Sequence, residues 1–205
     1  MANTEQKRIG VDLGGTKIEA AVITEDHRIV WRERVPTPSG DYHGTLRAID
    51  ALVDRAVAEN NLPADFPIGI GVPGSQSPRT GLMRGCNSVA LNDKPLLHDL
   101  QAALARPVKL ANDADCFALS EARAGVGRDA GTVFGAILGT GVGGGIVIQQ
   151  QLLSGPNHNA GEWGHNAMPG DSVQGRKVRH CFCGRENCIE LWLSGTGLGN
   201  SFREA

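Results

Sequence analysis

The chain has 205 residues, 40% hydrophobic and 20% charged, which is ordinary for a globular protein of one large or two small domains. Its formal charge of -2 gives no electrostatic case for nucleic acid or an anionic membrane as partner. No apolar run approaches the roughly 20 residues of a bilayer span, and the first residues lack the apolar stretch of a secretory signal, so a cytoplasmic location is expected. In that compartment five cysteines do not argue for a disulfide framework.

Residues 7–13 (KRIGVDL) read as a strand, followed by strands at 18–24 and 28–35 around a turn at 25–27. Pro36, Pro38 and Gly40 break this meander, and Asp41 is placed to cap a helix running to about residue 60. Its Leu46, Ile49, Leu52, Val53, Ala56 and Val57 fall at helical spacing on one face. A short buried strand is expected at 67–72, a helix at 97–105, a strand at 108–111 and a helix at 113–124. Residues 131–138 and 142–149 flank a glycine turn and read as a hairpin. Residues 154–179 show no clear period, and 189–204 read as a helix interrupted by Gly195, Thr196 and Gly197. The boundary between lobes is expected near Gly125-Val126-Gly127, giving units 1–125 and 126–205 of a mixed α/β protein.

Two turns carry chemistry. Asp12-Leu13-Gly14-Gly15-Thr16-Lys17 sets adjacent glycines between strands, where backbone N–H groups and the Thr16 hydroxyl could cradle phosphate. Asp12, at the strand end, could hold a metal ion directly or through water. The bland alternative is a hairpin turn that needs glycine for its backbone angles. The second turn, Gly139-Thr140-Gly141-Val142-Gly143-Gly144-Gly145, formally contains G-x-G-x-x-G. A dinucleotide loop must open a helix, whereas Ile146-Val147-Ile148 is a strand signal, so that reading is rejected. Two strand–turn–strand units, each with a threonine, suit a polyphosphate better together than either does alone.

Asn112-Asp113-Ala114-Asp115 follows a short apolar strand and opens a helix. An N-cap is the ordinary explanation. The functional one makes Asp113 the base that takes a hydroxyl proton and Asn112 the group that orients that hydroxyl. Cys181, Cys183 and Cys188 form C-x-C-x4-C, a soft ligand set that needs a fourth member to close a tetrahedral zinc site. His165 and His180 are the candidates, and His180 adjoins Cys181, which makes joint ligation awkward. Cys86 and Cys116 read as packed thiols.

The ordered set DLGGTK (12–17), GVPG (71–74), NDAD (112–115), GTGVGGG (139–145), GEWGH (161–165) and CFCGRENCIE (181–190) resembles the ROK family of bacterial sugar kinases, repressors and open reading frames. PTPSGDY (36–42) and GSQSPRTG (74–81) resemble its fructokinase (mannokinase) branch. The resemblance implies an actin-like, hexokinase-like ATPase fold with ribonuclease H-like lobes, cut short within the second lobe, because relatives continue well beyond residue 205. It implies ATP-dependent phosphorylation of a hexose, fructose first and N-acetylglucosamine or glucose as alternatives, with ATP, Mg2+ and structural Zn2+. A truncated sugar-binding protein without kinase activity, or a repressor, is the competing reading.

By position, the resemblance makes Asp113 the catalytic base and places Asn87, Asn112, Glu162, His165 and Glu190 against the sugar. It makes Gly14, Gly15, Thr16, Lys17, Gly139, Thr140 and Gly141 phosphate contacts, with Asp12 near the magnesium. It makes His165 the zinc partner of Cys181, Cys183 and Cys188, and it implies a homodimer. Asp115 departs from the family, where many relatives carry Asn; buried beside Asp113, it would raise the affinity of that base for its proton.

Overall fold

A computed structural model describes residues 7–86 and 88–204. The chain divides into two compact units, one ending at Asp113 and the other starting at Ala114.

The first unit is built on a five-stranded sheet. Strands β1 (Arg8–Leu13), β2 (Lys17–Ile23) and β3 (Ile29–Pro36) form the expected antiparallel meander. Helix α1 (Tyr42–Glu59) leads to β4 (Ile68–Val72). A small hairpin follows, β5 (Ser75–Gln76) with β6 (Met83–Arg84), and then helix α2 (Leu96–Leu104) and β7 (Val108–Asn112). The sheet order is β3-β2-β1-β4-β7, with β1, β4 and β7 parallel.

Alternation sorts the strands' two faces. Ile9, Val11, Leu13, Ile18, Ala20, Val22, Ile68, Ile70 and Val72 are buried in one core with Ile49, Leu52, Val53 and Ala56 of α1 and Leu96 and Leu100 of α2. Full burial of each such aliphatic side chain contributes about 1.5–3 kcal/mol. Asp41 caps α1 as its sequence position predicts, accepting from Gly44 N at 2.8 Å. The opposite sheet face carries Asp12, Glu19 and Arg34 in one register row. Edge strand β3 is studded with Arg32 and Arg34, both paired to Glu19, a charge pattern that discourages a further strand from pairing.

The second unit opens with α3 (Asp113–Ala124), whose first residue belongs to the preceding unit, and continues with the three-stranded sheet β8 (Thr132–Leu138), β9 (Val142–Ile148) and β10 (Gln151–Leu152). Three short helices follow: α4 (Gly170–Val173), α5 (Glu190–Leu193) and α6 (Gly195–Glu204). The units part at the start of α3, not after it at Gly125–Gly127, for a packing reason. Ala114, Ala118 and Ala122 are buried, and this alanine stripe lies on the glycine positions of β8 and β9. A Cβ on Gly145 would stand 2.9 Å from both Ala114 O and the Ala118 Cβ.

The same stripe corrects the reading of Cys116, which is exposed, because a helix that buries positions 114, 118 and 122 turns 116 away. Cys86 is packed as expected, and burial, with the Asp113 charge adding, pushes its thiol up to about 11. The helix expected at 189–204 breaks at Ser194, not at the glycines. Ser194 is extended, its Oγ accepts from Gly197 N at 3.0 Å, and Gly195 to Gly197 open α6. Among the described residues no helix is long and apolar enough to cross a membrane.

Candidate functional site

The first glycine turn closes on itself. Gly14 N donates to Lys17 O at 3.0 Å, and Thr37 fastens the turn from β3's end, its Oγ1 on Gly14 O (2.8 Å) and its N on Thr16 O (3.1 Å). Gly15, Thr16 and Lys17 are exposed at the tip. Gly14 N–H is thus spent on the turn, which leaves Gly15 and Thr16 as its outward backbone. Sequence reasoning missed Ser88: its buried Oγ has no hydrogen-bond partner among the described residues and stands 3.2 Å from where a Cβ on Gly15 would lie. Asn87 lies outside the described residues. Its neighbour Cys86 is clamped by Asn92, which accepts from Cys86 N and donates to Cys86 O, both at 2.9 Å.

Asp12 is solvent-exposed, yet enough of the sheet surrounds its carboxyl that partial desolvation holds its pKa above the usual carboxylate range. Glu19, directly opposite on β2, adds to the rise, while Lys17 and Arg34 oppose it. A carboxylate so placed favours a cation beside it. Asp113 is exposed at the point where β7 gives way to α3. The preceding Asn112 donates from Nδ2 to Gly74 O at 3.0 Å, which fixes its amide plane. Asp115 is half-buried and Asp113 exposed, so the two carboxylates do not share a buried site.

In the second unit, β9 follows the turn as a strand, so the turn has no helix of a dinucleotide loop. Gly139 and Thr140 are exposed. The turn is fastened from behind by residues far along the chain. Gly195 N donates to Gly139 O at 2.7 Å, Val142 N donates to Glu190 Oε2 at 3.0 Å, and Trp163 Nε1 donates to Gly143 O at 2.8 Å. Glu162 is exposed and follows Gly161, whose φ of +91° favours glycine.

His165, Cys181, Cys183 and Cys188 converge, with one ligand atom from each within 4.8 Å of the others. Two short antiparallel segments make this happen: Met168 N donates to Asn187 O, Ile189 N to Asn166 O and Glu190 N to Gly164 O. Gly184, at φ +85°, turns the loop so that its N–H reaches Cys181 O. Cys181 Sγ stands 3.5 Å from His165 Nδ1, and Cys183 Sγ 3.6 Å from Cys188 Sγ. Tetrahedral Zn2+ with bonds of about 2.3 Å to sulfur and 2.0–2.1 Å to nitrogen requires such spacings, so the residues fit that ion.

His180 is instead paired with Glu186 at 3.4 Å, its side chain exposed, and stands outside the cluster. Burial pushes the Cys188 thiol up to about 12 and raises Cys181, whereas the Arg185 backbone N–H lowers Cys183. Arg179, also missed from the sequence, is the loop's anchor. Its guanidinium stacks 3.9 Å over the Trp192 ring and donates to Leu191 O, Gly197 O, Ser201 Oγ and Glu204 Oε2.

This architecture is that of the actin-like, hexokinase-like ATPases. The solved ROK hexokinase of Thermus thermophilus matches 97% of this chain with a TM-score of 0.79 and 31% identity. A ROK family glucokinase of Streptomyces griseus, solved with glucose and AMPPNP, matches 97% with a TM-score of 0.80 and 32% identity. The ROK family profile matches residues 8–205, and the chain belongs to that family. An N-acetyl-D-glucosamine kinase of Vibrio atlanticus is 43% identical over 193 residues, covering 92% of this chain. The chain spans 63% of that relative's length, and 64% and 63% of the two solved structures. These relatives are named for N-acetylglucosamine, hexose or glucose, and they give no support to fructose, the sugar expected from the sequence.

Proposed function

We propose that this chain acts in ATP-dependent phosphorylation of a hexose primary hydroxyl, with N-acetylglucosamine as the sugar. The observation that carries the reading is Asp113: an exposed carboxylate at the β7–α3 junction, beside an asparagine already locked by Gly74 O, within a chain 43% identical to an N-acetyl-D-glucosamine kinase. Glucose is the second candidate, supported by the S. griseus glucokinase likeness.

Asp113 accepts the hydroxyl proton as that oxygen attacks the γ-phosphorus, the bond from that phosphorus to the β–γ bridging oxygen breaks and ADP leaves, and Asn112 orients the sugar. Asn87, Glu162, His165 and Glu190 complete the sugar contacts. Gly15, Thr16, Lys17, Gly139, Thr140 and Gly141 are the proposed phosphate contacts. Mg2+ near Asp12 would neutralise the charge of those phosphates. Zn2+ on His165, Cys181, Cys183 and Cys188 would be structural, since four protein ligands leave no open position. With Nδ1 beside Cys181 Sγ, His165 would keep Nε2 for a sugar hydroxyl.

The test is a coupled ADP-release assay with N-acetylglucosamine, glucose, mannose and fructose. N-acetylglucosamine is expected to give the highest kcat/KM. Asp113→Ala is expected to lower turnover by at least about 10²-fold while sugar binding, read by calorimetry, persists. Near-normal turnover in that variant overturns the assignment of the base. Sugar binding without ADP release from the wild-type chain identifies a sugar-binding protein instead.

A further inference from the structure

We infer that Glu190 is a positioning residue for the second glycine turn, and not only a sugar contact. Its Oε2 accepts the Val142 N–H at 3.0 Å, across 48 residues of sequence. Val142 is buried, so its amide has little access to water as an alternative partner. The carboxylate also fills the space beside Gly141, where a Cβ would stand 2.6 Å from the same Oε2. Glycine at 141 therefore does a second job: it leaves room for the carboxylate that holds the turn. Glu190 is itself held, its N–H on Gly164 O at 2.8 Å, two residues beyond the ligand Cys188 and beside the segment that carries His165.

The consequence is a direct mechanical link. One oxygen of Glu190 fixes the turn and leaves the other for the substrate, so the cysteine loop reaches the turn as well as the sugar. That the turn receives phosphate rests on the proposed function; the tether does not, and it can be read separately.

The experiment is amide hydrogen–deuterium exchange at residues 139–145 in the wild-type chain, Glu190→Ala, Glu190→Gln and Gly141→Ala, with β1 and β4 as the folding control. Glu190→Ala is expected to speed exchange at Val142 by roughly tenfold or more, the cost of losing a hydrogen bond to a charged acceptor. Glu190→Gln keeps an acceptor oxygen but not its charge, and is expected to fall between wild type and Glu190→Ala. Gly141→Ala keeps Glu190 but displaces its carboxylate, and is expected to resemble Glu190→Ala.

Unchanged exchange in both Glu190→Ala and Gly141→Ala overturns the inference, and so does equal loss in Glu190→Gln and Glu190→Ala. In the ADP-release assay, Gly141→Ala is expected to raise the KM for ATP more than that for the sugar; a rise confined to the sugar KM counts against the inference. A wild-type chain that releases no ADP overturns the proposed function, while the exchange data still decide the tether.

Discussion

Asp12 shows how a position proposed to serve function can cost stability. Its folded-state pKa is raised, so the folded state binds that proton more tightly than the unfolded chain does. The stabilisation from that proton is complete below the ordinary carboxylate pKa and is lost as pH rises through the raised value. At neutral pH the ionised group therefore works against folding. Asp12→Asn is expected to raise the melting temperature at pH 7, and the gain should vanish as pH falls below the carboxylate range; melts at pH 3, 5 and 7 check this. The same variant should lose ATP turnover under the proposed function.

Among residues, legibility followed locality. The Asp41 cap and the cysteine spacing could be read because partners lie within a few positions. Ser88 against Gly15 and Glu190 on Val142 could not, because nothing local encodes contacts so distant in sequence.

At the scale of elements, the glycine run 139–145 proves to be two features joined end to end. Gly139 to Gly141 form the tip, whereas Gly143 and Gly145 lie under the alanines of α3. The sequence pattern suggested a single reason, a turn suited to polyphosphate, and helix packing supplies the other. Gly145→Ala forces a Cβ onto Ala114 O, which cannot swing away, and is expected to cost about 1–3 kcal/mol. A lower urea midpoint at unchanged slope would show it, while Gly131→Ala, which meets nothing within 4 Å, should leave the midpoint in place. The α3 packing also explains why the unit boundary eluded the sequence: the Gly125–Gly127 break is conspicuous, but the alanine stripe binds the helix to the sheet of β8 and β9.

At the scale of the whole molecule, the second unit has a thin hydrophobic cluster, Ala118, Ala122 and Val147 with their neighbours, against the broad core of the first. The convergence of His165 with three cysteines compensates for that deficit if Zn2+ occupies it. The purified chain is expected to hold one zinc per molecule by elemental analysis. His180→Ala should retain it, His165→Ala should lose it, and chelation should lower the melting temperature. Zinc-free wild-type protein that melts no lower than the zinc-loaded form would overturn a structural role for the metal.

The bond from Gly195 N to Gly139 O has one more effect. Gly195 opens α6, so the aligned peptide dipoles of that helix direct their positive end toward the exposed backbone of Gly139 and Thr140. An anion arriving there would meet a favourable field before it made any contact, and added salt would screen that field first.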